Sequence, residues 1–103
     1  MEPSMNSAAH LRLPAELTIY TVGELHPQWL AWLQAAPPEA AVHGGEVDQL
    51  DAAGVQLLLS LQRALVQRGQ RFVLQMPSAV LSSGCQAMGL GPWLAQHREE
   101  ATA

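Results

Sequence analysis

The chain has 103 residues, enough for one domain that buries its own core without help from a metal or a disulfide. Five Lys and Arg against nine Asp and Glu give a net charge of −4, which argues against non-specific binding to nucleic acid or to an anionic membrane. A hydrophobic fraction of 49% beside 14% charged residues excludes a wholly disordered chain, and no apolar run reaches membrane-spanning length.

Residues 1–9 are small and polar. With no basic start and no apolar stretch they predict a disordered arm rather than a signal peptide. A single domain is expected over residues 10–95, and a frayed tail over 96–103. Cys85 is the one cysteine, so no internal disulfide can form, which fits a reducing cytoplasm.

Leu11 and Leu13 flank Arg12, and Leu17-Thr18-Ile19-Tyr20 resumes the alternation after Pro14-Ala15. This period of two predicts a hairpin or two short strands. Thr21 followed by Glu24 reads as a capping box, with Tyr20 and Leu25 as its hydrophobic staple. Leu25, Trp29, Trp32 and Leu33 recur at helical spacing. Pro27 implies a distorted first turn or a helix that starts near His26.

Ala40 to His43 reads as a short buried strand ended by Gly44-Gly45. Asp51 is the expected cap of a long second helix that Gly69 stops. On that helix Gln56, Ser60, Arg63 and Gln67 form a narrow polar stripe, with Leu58, Leu61 and Leu65 opposite. Arg71 to Gln75 is the next strand, and Ser78 caps a third helix carrying Leu81, Gly84, Cys85 and Met88 on one face. Leu90, Trp93 and Leu94 are expected to fold back onto the core. The order β-β-α-β-α-β-α predicts an α/β domain: a small mixed β-sheet of about four strands with helices mainly on one face.

Motifs for chemistry are weak. His10, His26, His43 and His97 are scattered, so no metal and no cofactor are expected, and His43 reads as a hydrogen-bonded structural residue. Cys85 falls on a core face and reads as an inert thiol. Ser82 and Ser83 have no adjacent base, and no phosphate-binding glycine loop is present. What stands out is Asp51-Ala52-Ala53-Gly54, which leaves the free amides of a helix start sterically open. A partner or an anion approaching there and simple close packing are both compatible with that spacing.

These residues carry a family likeness. Ala15-Glu16-Leu17-Thr18-Ile19-Tyr20-Thr21-Val22 resembles the G-E-L-D-x-x-T-A segment of the STAS domain family, and Val47-Asp48-Gln49-Leu50-Asp51-Ala52-Ala53-Gly54-Val55 resembles its loop ending in D-S-S-G and a hydrophobic residue, or in D-T-A-G. Met88-Gly89-Leu90 is similar to the family's S-G-L after the third helix. The likeness runs from about Leu11 to Leu94. It implies a bacterial, non-enzymatic protein that acts by protein–protein interaction. In the anti-sigma-factor antagonists of the family a partner kinase phosphorylates the Ser directly after the motif Asp. Here that acceptor position is Ala52, and Ala53 also lacks a hydroxyl. Thr18 stands where those antagonists have an Asp, and His43-Gly44-Gly45 replaces a more usual strand end.

Two contexts follow from the likeness. One is a regulatory adaptor whose partner is an anti-sigma or kinase-like protein, or a chemosensory protein. The other is a cytoplasmic accessory subunit bracing the ATPase of a phospholipid-transport ABC complex, where D-T-A-G is usual. A small-ligand sensor has only the two tryptophans of the first helix in its favour. The expected docking surface is Val55, Gln56 and Leu59 with the turn Asp51, Ala52, Ala53 and Gly54, rimmed by Glu46 and Asp48. The carboxylates would steer a basic partner patch. A monomer or weak dimer without membrane insertion is expected.

Overall fold

The structure is a computed structural model that describes residues 10–98. The expected arm at 1–9 and the last residues of the expected tail, 99–103, lie outside the described residues. The elements are β1 (His10–Arg12), β2 (Glu16–Leu17), α1 (Val22–Ala35), β3 (Glu39–His43), β4 (Gln49–Leu50), α2 (Ala52–Gln67), β5 (Arg71–Gln75), α3 (Ala79–Ala87) and α4 (Gly91–His97).

The α/β class and the chain order agree with the sequence, and the strand pairing refines them. Instead of one mixed sheet there is a three-stranded sheet, β1-β3-β5, and a two-stranded one, β2-β4. Every strand pair among the described residues is parallel. β1 and β2 therefore do not form the expected hairpin. The link Leu13-Pro14-Ala15 lacks hairpin turn chemistry, and each strand instead finds a parallel partner later in the chain. In register, Leu11 sits beside Val42, Ala40 beside Phe72 and Val42 beside Leu74. These side chains share one face, and all of them are buried.

On that core lie Leu25, Trp29 and Leu33 of α1, Leu58, Leu61 and Leu65 of α2, Leu81 and Cys85 of α3, and Leu94 of α4. Burial pushes the Cys85 thiol pKa up, as suits an unreactive core thiol. Asp51 caps α2, and Ser78 caps α3 by accepting the Leu81 N–H at 3.0 Å. Gly69 ends α2 with a φ of 74°, a conformation that costs a glycine little.

Three local expectations are corrected. Thr21 does precede α1, but its hydroxyl makes no cap; it donates back to the carbonyl of Glu16 at 3.0 Å. The helix begins at Val22 with Pro27 inside it, held by its buried stripe despite the missing N–H. His43 accepts the Leu13 N–H at its carbonyl at 2.9 Å, but its ring Nδ1 is buried without a hydrogen-bond partner, so the expected bonding is not made at that atom. Gln96 and His97, placed in the tail by sequence, belong to α4, and Arg98 bridges to Leu74.

Candidate functional site

The parallel pairing of β2 with β4 sets Glu16 beside Gln49 and Leu17 beside Leu50. Two parallel strands end on the same side. The residues after Leu17 and those after Leu50 therefore leave the small sheet next to each other. The first group is the turn Thr18 to Thr21, and the second is Asp51 with the start of α2.

The turn is held by side-chain hydroxyls. Thr18 is buried, and its Oγ1 donates to Glu16 Oε2 at 2.7 Å while accepting the Tyr20 N–H at 3.2 Å. Thr21 Oγ1 accepts the Thr18 N–H at 3.1 Å. With its backbone committed, the turn projects Ile19 and Tyr20 outward, at 59% and 86% exposure. The β-forming residues Leu17 to Tyr20 thus contribute only Glu16–Leu17 to a strand.

Asp51 joins the two groups. Its Oδ1 accepts the Gly54 N–H at 3.0 Å and its Oδ2 accepts the Ile19 N–H at 3.0 Å. The Ile19 amide, then that of Gly54, hold the carboxyl below its ordinary pKa, because both bonds favour the charged form. The Asp51 N–H also donates to the Leu17 carbonyl at 3.3 Å. α2 runs so close to β2 that a Cβ on Gly54 would lie 1.9 Å from that carbonyl oxygen. Gly54 is therefore there for contact inside the domain, and the small residue leaves no opening for a partner.

The expected site residues divide accordingly. Ala52 and Gln56 are exposed, and Ala53 and Leu59 are half-buried. Asp48 is exposed, and its N–H donates to the Ala15 carbonyl at 2.8 Å. Glu46 is paired with Arg12 at the C-terminal end of β1. Gly54 and Val55 are buried, Val55 to 2% exposure, which corrects their place on a docking surface. Val55 lies three residues before Leu58 and so shares its inward face. Ile19 and Tyr20 are the members that sequence reasoning missed. The signal was the pair of threonines around them, whose hydroxyls compete for backbone groups and favour a turn.

Among the described residues no three His, Cys, Asp or Glu side chains come together as a metal site, and no helix is long and apolar enough to cross a membrane. Beside Asp51 the Thr18 hydroxyl is bonded to the Glu16 carboxylate, but it is buried and spent on holding the turn. The surface around Asp51 offers two exposed apolar side chains, a short small-residue step at Ala52 and Ala53, and nearby carboxylates. Such a surface is suited to contact with another protein.

No curated protein sequence matches the chain. The solved structure of the anti-sigma factor antagonist SpoIIAA in its unphosphorylated form is similar, with 28% identity, 90% of this chain and 78% of that one covered, and a TM-score of 0.68. The family model described as Mlab, STAS domain matches residues 2–95, and by that match over nearly its whole length the chain belongs to the STAS domain family.

Proposed function

We propose that the chain is a non-catalytic regulatory protein of the anti-sigma-antagonist type that docks a partner protein on Ile19, Tyr20, Ala52, Ala53 and Gln56. The observation that supports it is the Asp51 bridge. It holds an exposed isoleucine and tyrosine beside an exposed helix start, and large apolar side chains of this kind are frequent anchors at interfaces. Asp48 is exposed just before β4, and its carboxylate would steer a basic patch on the partner. Ala52 carries no hydroxyl at the acceptor position of the family's antagonists, so docking here is not switched by phosphate at that point. The partner is an anti-sigma or kinase-like protein, or a chemosensory protein, and the setting is the cytoplasm.

The test is a titration calorimetry measurement against the anti-sigma or chemosensory protein encoded nearest the gene. Ala52→Arg and Tyr20→Ser should each weaken binding by about tenfold or more, with unchanged melting. Full binding by both variants would remove this surface from the reading.

A second reading is an accessory subunit bracing the ATPase of a phospholipid-transport ABC complex. Ala53-Gly54 favours it, since these are the last two residues of D-T-A-G. The same two variants, titrated against an ATPase encoded with the chain, separate the contexts by which partner binds.

A further inference from the structure

A groove of about 150 Å³ runs between α1 and α2, away from the turn at Asp51. Trp29, Leu33, Leu57, Leu61 and Ala64 line it, and its polar lining is limited to His26 and Ser60. No described carboxylate lines it, although the chain as a whole is acidic. Leu30 stands on the same wall and is 47% exposed, a large apolar side chain facing water beside an apolar hollow.

We propose that two copies of the chain associate through this face, Leu30 of each filling the groove of the other. A twofold contact needs a self-complementary patch, with a projection and a recess on one surface. Leu30 at the rim and the groove beside it provide both. The absence of carboxylates there matters for two copies that each carry a charge of −4. Their mutual repulsion is carried by other surfaces, and this face can approach its twin without burying an unpaired acid. Arg63 lies one turn beyond Ser60 and is exposed, so its long side chain can remain in water at the rim.

The size of the face sets the strength. α1 has 14 residues and α2 has 16. At 1.5 Å per residue they are about 21 and about 24 Å long. With helices packed about 10 Å apart, the shared outer face is on the order of 400 Å² per copy, against about 800 Å² per partner in a stable interface. A face of that size falls below the stable class, so the pair forms only at high protein concentration.

Sedimentation velocity from about 10 μM to about 1 mM reads this directly. The wild-type weight-average mass should climb from one chain toward two. Leu30→Glu should keep the mass at one chain throughout, weakening association by about tenfold or more, with unchanged far-UV circular dichroism because Leu30 is exposed. Gln28→Glu adds the same charge at an exposed position of α1 outside the groove lining, and it should associate as the wild type does. A wild-type chain that stays single at about 1 mM overturns the proposal. So does equal association by Leu30→Glu, or equal loss by Gln28→Glu.

Discussion

The Asp51 carboxylate accepts the backbone N–H of Ile19, 32 residues earlier in the chain, while it caps its own helix at Gly54. One side chain thus fixes both the start of α2 and the turn that displays Ile19 and Tyr20. Its folded pKa lies below the unfolded one, with the Ile19 amide as the largest cause. A carboxyl shifted in that direction contributes stability above its unfolded pKa and loses it as pH falls through the folded pKa. The melting temperature should therefore decline as the solution is acidified below the ordinary carboxylate range. Asp51→Asn, with one carbonyl oxygen for two donors, should lower the neutral-pH melting temperature and flatten that decline. An unchanged acid limb in the variant would show that other carboxyls carry it. Amide exchange at Ile19 gives a second readout and should quicken in Asp51→Asn.

Gly54 and Leu17 make the closest approach between α2 and the small sheet. A Cβ at Gly54 would meet the Leu17 oxygen at 1.9 Å and its carbonyl carbon at 2.5 Å. Both atoms are backbone and cannot rotate away. Gly54→Ala should cost about 2–3 kcal/mol as an overpacked contact, although alanine is the better helix former. Ala52→Ser is the contrast, an exposed change that should leave urea stability within about 0.5 kcal/mol. If Gly54→Ala is as stable as the wild type, α2 is not held against β2 in this way.

His97 packs its ring edge-on to Phe72, with centroids 5.4 Å apart, and lies 5.3 Å from Trp93. Burial lowers its pKa, and a hydrogen bond to the Phe72 backbone partly opposes this. A histidine shifted downward favours the neutral form in the folded state. Its contribution is complete above the unfolded pKa and is lost as pH falls from there toward the folded value. Stability in urea should drop modestly between about pH 7.5 and about pH 5.5, and the His97 ring protons followed by NMR should titrate below the free imidazole. A midpoint above that of free imidazole would reverse the sign and exclude this source of acid sensitivity.

Short-range signals were legible in the residues themselves. Asp51, Ser78 and Gly69 act within one helical turn, and each terminates its helix where the sequence places it. Partner choice between strands was not. β1 and β2 read as neighbours because they are close in sequence, but their parallel partners β3 and β4 lie some thirty residues on. Ile19 and Tyr20 have strand-forming side chains, and the bonds of the Thr18 and Thr21 hydroxyls, with the Asp51 carboxylate on the Ile19 N–H, turn the backbone away. At the site, Ala52 and Gln56 were placed correctly on the surface. Val55 was not, because a stripe drawn by polarity overlooked its three-residue spacing from Leu58. Gly54 was read as leaving space, and its neighbour Leu17, far away in sequence, fills that space.

Met76 holds a left-handed backbone, with a φ of 47°, and its side chain is 71% exposed. It follows β5 at the point where the Gly44 N–H donates to the Gln75 carbonyl at 2.9 Å and the Ser78 N–H donates to the Gly44 carbonyl at 3.0 Å. Those two bonds fix the chain on both sides of Met76-Pro77. The following proline also disfavours the right-handed helical region at Met76. A side chain with a Cβ costs roughly 1–2 kcal/mol in the left-handed region, whereas glycine occupies it freely. Exposure means that little packing is lost with the methionine side chain. Met76→Gly should therefore stabilise the domain by about 0.5–1 kcal/mol after the added freedom of the unfolded chain is counted. Met76→Val, whose branched Cβ crowds the backbone more, should destabilise it by about 1 kcal/mol. Urea denaturation of the two variants beside the wild type should rank them glycine, methionine, valine. A glycine variant weaker than the wild type would mean that the Met76 side chain, despite its exposure, makes contacts worth more than the strain it imposes.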